Sequence, residues 1–133
     1  MNKNSEKPVM LISGTSRGIG KYLAEYYIAK GYYVIGCSRG GASINHVDYT
    51  HFSIDISEEI NILSIFQFIR KEFGRLDFLI NNAAINPAIV SAALAPYSTI
   101  EKAFKVNVFA TMIFCREAVK VMSRKKFGRI INV

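Results

Sequence analysis

Ser13-Gly14-Thr15-Ser16-Arg17-Gly18-Ile19-Gly20 follows directly on the apolar run Val9-Met10-Leu11-Ile12. These residue types at this spacing can hold a pyrophosphate. Gly14 permits a sharp turn where a side chain would clash. Gly18 leaves phosphates room to approach the main chain, and Gly20 lets a following helix lie close to the strand. That helix would aim its unpaired N–H groups and the positive end of its dipole at the anion. Further polar groups stand at the ends of later apolar runs: Ser38-Arg39, Asp55-Ile56 and Asn81-Asn82. In an open parallel sheet such strand ends meet along one edge, where ligands bind near the switch in strand order.

The elements that must position these groups alternate between strand-like and helix-like, which predicts a parallel sheet with helices on both faces. The fold class is therefore α/β, a doubly wound, Rossmann-like sheet. Val9–Ser13 reads as the first strand, and a helix runs from about Arg17 to Lys30 with Gly31 as its stop. Tyr32–Cys37 and Tyr49–Ile54 read as strands two and three. The link between them, from about Ser38 to Asp48, leaves little room for a full helix. Ser57 is placed to cap a helix running to Phe73, with Ile62, Ile65, Phe66 and Ile69 at helical spacing and Gly74 as the stop. Leu76–Ile80 is a near-continuous apolar run, as expected of a strand covered on both faces. Ser98-x-x-Glu101 reads as a capping box for the longest helix, which ends near Arg124, and Arg129–Val133 begins a fifth strand. Phe104, Val108, Cys115, Val119 and Met122 form an apolar stripe on that helix, which Phe109 and Ile113 widen. One face would cover the sheet. The surplus predicts a second partner for 99–125, either more of the chain or another copy in a homo-oligomer.

The chain has 133 residues, half of them apolar and a fifth charged, which suits one domain with its own core spanning 1–133. No stretch approaches the ~18 consecutive apolar residues of a membrane span, and Met1–Lys7 lacks the apolar core of a signal peptide. A membrane partner is therefore not expected. Cys37 and Cys115 lie inside apolar segments and read as thiols buried in a reducing, cytoplasmic compartment. His46 and His51 have no Cys or acidic cluster at ligand spacing, so no metal site is expected. The net charge of +7 concentrates in residues 99–133, where eight Lys or Arg face two Glu. Arg116, Lys120 and Arg124 recur every four positions and form one stripe, extended by Lys125 and Lys126. No aromatic residue interleaves that stripe. It reads as a solvated helix face with cations at its C-terminus rather than a nucleic-acid surface.

Taken in order, the motifs resemble those of the short-chain dehydrogenase/reductase family, over Val9 to Val133. Ser13-Gly14-x-x-x-Gly18-x-Gly20 is similar to that family's cofactor turn, with Ser where Thr is commoner. Asp55 matches its adenine-side acid, and Asn81-Asn82-Ala83-Ala84 is similar to its Asn-Asn-Ala-Gly segment. Asn107 matches its helix asparagine, and Gly128–Val133 resembles the strand that leads to its catalytic serine. The resemblance implies strand order 3-2-1-4-5. It implies cofactor contacts from Gly14, Ser16, Arg17, Gly18, Ile19, Gly20, Ser38, Arg39, Asp55, Ile56, Asn82, Ala83 and Ala84. It also implies a catalytic role for Asn107, which bends the helix locally and holds a water in a proton relay. Asn81 and Asn82 are expected to be mostly structural, and Ala84 stands where the family usually has Gly. An NAD site usually carries Asp or Glu at the end of the second strand. Here Ser38-Arg39 stands there, and Arg17 would face the same end of the nucleotide. Two guanidiniums and no carboxylate suit a 2′-phosphate, so NADP is expected in preference to NAD.

The implied chemistry is hydride exchange between a nicotinamide and a small-molecule carbonyl or alcohol. It uses a Ser and a Tyr-x-x-x-Lys pair, whose family positions lie beyond the strand at Arg129. Tyr26 and Lys30 have that spacing but fall at the far end of the first helix, remote from the strand ends. The expectation is thus an oxidoreductase in complete form whose 133 residues bind cofactor and are inactive alone. On this reading the fifth strand is an open edge that favours oligomers. The alternative is a non-catalytic NADP-binding or regulatory unit. A nucleic-acid binder built on the basic helix is a third reading, which the glycine turn and Asp55 disfavour.

Overall fold

The computed structural model describes residues 6–87 and 91–133. Its centre is β1 (Val9–Ser13), buried at every position. Successive side chains of a strand point to opposite faces, and here both faces are covered. Val9 and Leu11 enter one core with Ile62, Phe66, Ile69 and Phe114, while Met10 and Ile12 enter another with Ala24, Ile28 and Val34. A continuous apolar run is the pattern this position requires.

Four more strands pair in parallel around it: β2 (Tyr33–Ser38), β3 (Tyr49–Ser53), β4 (Phe78–Asn81) and β5 (Arg129–Asn132). Their order is β3-β2-β1-β4-β5, as the family resemblance implies. Helix α1 (Gly18–Ala29) covers one face of the sheet. Helices α2 (Glu59–Glu72) and α4 (Ala110–Lys125) cover the other. The chain leaves α1 and α2 through Gly31 (φ +86°) and Gly74 (φ +64°), the two stops read from sequence. The β2–β3 link contains no helix.

Three local expectations are corrected. Ser57 does not cap α2: Asp55 Oδ1 accepts the Ser57 N–H at 2.9 Å, and the helix opens after Glu58. Ser98 and Glu101 form no capping box. Helix α3 (Tyr97–Phe104) starts two residues earlier, behind Pro96, whose carbonyl accepts the Thr99 N–H, and Glu101 pairs instead with Lys105 at 2.9 Å. Finally, the long helix keeps a helical backbone from Tyr97 to Lys125 but is not α-helical throughout. A π-helical turn over Lys105–Phe109 separates α3 from α4. From that turn onward the buried face is Val106, Ala110, Phe114, Ala118, Val121 and Met122; of the expected stripe Met122 is buried, whereas Phe104, Val108 and Val119 face outward.

Candidate functional site

The carboxyl ends of β1, β2 and β4 open onto one cleft of about 350 Å³. At its floor β1 runs into the glycine turn. Gly14 takes φ +78° and Gly18 φ +59°, backbone that L side chains resist. A Cβ on Gly18 would meet nothing within 4 Å, so the main chain there lies open to the cleft. Gly20 serves differently. It lies beneath the turn rather than on the cleft wall, and a Cβ there would collide with the Gly14 carbonyl oxygen.

Helix α1 starts behind Arg17 with no side-chain cap and no acidic residue in its first turn. Its first N–H groups thus carry the partial positive charge of the helix end without an internal anion. Ser16, Arg17, Gly18 and Ile19 from this segment line the cleft. A phosphate group fits this arrangement by charge and by space.

The turn is fixed by hydrogen bonds from its neighbours. The Gly14 and Thr15 N–H groups donate to the Cys37 carbonyl at 2.9 and 3.2 Å. Ser13 Oγ accepts the N–H groups of Asn82 and Ala83 at 3.1 and 3.0 Å, so Ser supplies the hydroxyl here. Asn82 Nδ2 donates to the carbonyls of Ser13 and Gly14 at 3.2 and 3.1 Å. Asn81 Nδ2 donates to Asn132 Oδ1 at 2.9 Å and so ties β4 to β5. Ala84 takes no positive φ, so the absence of Gly there brings no strain.

Ser38 and Arg39 from the end of β2, Asp55 and Ile56 past β3, and Asn82, Ala83 and Ala84 past β4 join the glycine turn around this cleft. The Ser57 backbone and side chain donate to Asp55, and with Arg39 and Lys102 nearby they hold its carboxyl below the usual value. Cys37 lines the same cleft but is inert, because burial pushes its thiol up to about 12.

Asn107 does not line the cleft. Its Oδ1 accepts the Ile85 N–H and its Nδ2 donates to the Ile85 carbonyl, both at 2.8 Å. The π-helical turn surrounds this residue, and Ile85 itself lines the cleft. Asn107 therefore fixes the backbone of a wall residue. Sequence reading missed Lys102 and Val106, which also line the cleft. They are four apart on the predicted helix, a same-face spacing that could have marked them.

No group of three or more His, Cys, Asp or Glu among the described residues is placed to hold a metal. No helix among them is long and apolar enough to cross a membrane. The basic stripe is partly engaged: Arg116 donates to Glu59 at 2.6 Å and to Glu117 at 3.0 Å, and Lys120 donates to Glu117 at 2.6 Å.

Among curated relatives, an uncharacterized oxidoreductase, YxjF of Bacillus subtilis, is 29% identical over 96% of this chain and 52% of its own. The 3-oxoacyl-[acyl-carrier-protein] reductase FabG of Salmonella typhimurium is 30% identical over 96% of this chain and 54% of its own. The chain thus spans about half the length of the curated relatives it matches. Among solved structures, ElxO with NADP bound superposes with a TM-score of 0.86 at 28% identity, covering 95% of this chain and 54% of that one. The family described as short chain dehydrogenase matches residues 8–133, and the chain belongs to that family.

Proposed function

We propose that these residues form the NADP(H)-binding part of an oxidoreductase acting on a small-molecule carbonyl or alcohol. One observation carries the cofactor choice: Arg17 and Arg39 line the same cleft, and Ser38, not a carboxylate, ends β2. Guanidinium groups bind phosphate bidentately and are always charged, which favours the 2′-phosphate of NADP over the bare hydroxyl of NAD. The open α1 N-terminus and Gly18 would hold the pyrophosphate. Asp55 and Ile56 would flank the adenine, and Asn82–Ala84 the nicotinamide end. The bound nicotinamide would supply or accept a hydride. Asn107 is assigned to the proton-relay side of the site on the family resemblance, through its hold on Ile85.

Cofactor binding rather than turnover is assigned to these residues themselves. Among the described residues no tyrosine lines the cleft, and Tyr26, with Lys30 stacked over its ring, lies at the far end of α1. The exposed apolar side chains Phe104, Val108, Phe109, Met112 and Val119 support pairing with a second copy through α3 and α4. Sedimentation of a Val119→Asp variant, expected to shift toward monomer, tests that pairing. The engagement of Arg116 and Lys120 with carboxylates supports a structural role for the basic helix rather than nucleic-acid binding. Two free cysteines, one buried, fit a reducing, cytoplasmic setting.

Titration of the purified chain with NADPH and NADH tests the reading. NADPH is expected to bind more tightly, and Arg39→Asp to shift that preference toward NADH by tenfold or more, about the worth of one charge-assisted contact. Unchanged relative affinities in Arg39→Asp would overturn the cofactor assignment.

A further inference from the structure

Edge strand β3 carries a polar row that the nucleotide reading leaves unused. Tyr49 and His51 are two apart and share one face of the strand. Tyr49 Oη lies 2.8 Å from Thr15 Oγ1 in the glycine turn and 2.8 Å from His51 Nδ1. On its other side, His51 Nε2 lies 3.0 Å from Ser38 Oγ and 3.1 Å from the Gly40 carbonyl. One polarity satisfies every member. Thr15 donates to Tyr49, Tyr49 donates to the bare Nδ1 of His51, and His51 donates from Nε2. Burial pushes the Tyr49 phenol above its usual value, so it keeps the proton this polarity needs.

The row converges on one acceptor. The Gly40 carbonyl receives His51 Nε2, Ser53 Oγ at 3.0 Å and Ser38 Oγ at 3.2 Å. Three residues further on, Ser43 Oγ donates to the Thr15 carbonyl at 3.2 Å. The loop after β2 is thus fastened to β3 at Gly40 and to the glycine turn at Ser43. The row also needs Gly36, since a Cβ there would collide with the Tyr49 hydroxyl and Thr15 Oγ1.

Arg39 sits on this loop, immediately before Gly40 and Gly41, the residue type that loses most freedom when ordered. Ordering a residue's backbone costs conformational entropy. A loop already fixed spares that cost when a ligand engages Arg39. Only a ligand that uses Arg39 gains from it.

The geometry points to His51 and Ser53 as positioning residues for the cofactor's 2′-phosphate: they hold the Gly40 carbonyl, and through it the loop that presents Ser38 and Arg39. This inference rests on the NADP reading above. Neither residue lines the cleft, so both act through the loop. NADH carries no phosphate at that place, and its affinity is expected to be insensitive to them.

The test is the affinity of the chain for NADPH and for NADH in His51→Ala, Ser53→Ala, the double variant and His51→Gln. The double variant is expected to bind NADPH about tenfold more weakly, as for the loss of two modest hydrogen bonds, and NADH within twofold of the parent. His51→Gln keeps an N–H that can reach the Gly40 carbonyl and is expected to retain most of the preference. Equal weakening of both cofactors, no weakening in the double variant, or equal loss in His51→Gln and His51→Ala would each overturn this inference while leaving the NADP reading intact. A parent chain with no preference for NADPH would overturn the NADP reading, and this inference with it. Ser53 is exposed, so its variant reports on the same carbonyl even if His51→Ala unfolds.

Discussion

The cleft at the strand ends and the outer face of α3–α4 are opposite solutions to the same problem. At the cleft the backbone leaves regular structure, yet neighbours from β2 and β4 satisfy its groups: Cys37 takes the Gly14 and Thr15 N–H groups, and Ser13 and Asn82 bind reciprocally. What stays open there is the unpaired helix end, which suits an anion. On the outer face the backbone is fully helical, and what stays open is apolar: Phe104, Phe109, Met112 and Val119. An open polar group calls for a small charged ligand, whereas an open apolar surface calls for a large partner. The two regions are expected to respond to substitution in different ways.

The largest expected effect separates the inner from the outer face of α4. Phe114 is 1% exposed and packs against Phe66 at a centroid distance of 6.1 Å. Phe114→Ala is expected to lower stability by about 3–5 kcal/mol, read by chemical denaturation. Val119, 54% exposed, is expected to change it by less than about 0.5 kcal/mol when replaced by Ser in the monomeric chain. Comparable losses would mean that the outer face is covered within the chain, and the contrast between the regions would fail.

A second pair sharpens the contrast within the glycine turn. Gly20→Ala forces a methyl onto the Gly14 carbonyl and is expected to cost about 1–3 kcal/mol and to weaken dinucleotide binding together with stability. At Gly18 a Cβ meets no neighbour, so the stability loss of Gly18→Val is expected to come mainly from left-handed strain, about 1–2 kcal/mol. Because Gly18 lines the cleft, binding is expected to vanish from a chain that still unfolds cooperatively. Retained affinity in folded Gly18→Val would refute the placement of the phosphates.

Legibility in the sequence followed the range of the deciding interaction. The glycine turn, the helix stops and the buried strands are set by local backbone and by period-two burial, so residues 9–20 sufficed to place the first crossover. The face of the long helix was not local. Both the 104/108/119 row and the 106/110/114/118 row are apolar, and the sheet selects one of them. The π-helical turn around Asn107 also adds a residue, a change of about 100° in phase that helical spacing cannot anticipate. Ser98 had the residue type of a cap, but Pro96 already opened the helix ahead of it. At the site, the strand-end residues Ser38, Asp55 and Asn82 were readable from their place in the pattern. The Thr15–Tyr49 contact was not, since it joins positions 34 apart whose meeting depends on the pairing of β2 with β3.

A smaller effect than that of Phe114→Ala concerns the charge on the inner face of α4. Glu117 is buried, with Lys120 at 2.6 Å, Arg116 at 3.0 Å and Arg70 at 3.6 Å. Burial pushes its carboxyl up, but the hydrogen bonds and charges of Lys120 and Arg116 outweigh burial and hold it below its usual value. A group whose pKa is lowered by folding contributes stability that is present above the unfolded-state value and lost as pH falls through the folded-state value. Glu117→Gln is expected to cost about 1 kcal/mol at pH 7, because the three cations are partly exposed and regain water. Its stability should then fall less steeply than the parent's as pH drops below the ordinary glutamate value of 4.5. Some slope should remain, since Asp55 is lowered by its own Ser57 contacts and titrates in the same direction. Parallel acid limbs in parent and variant would show that the cations do not hold Glu117 ionised. The buried carboxylate would then be a burden on the inner face, where the surrounding residues are chosen for packing, rather than the ion pair that ties α4 to Arg70 of α2.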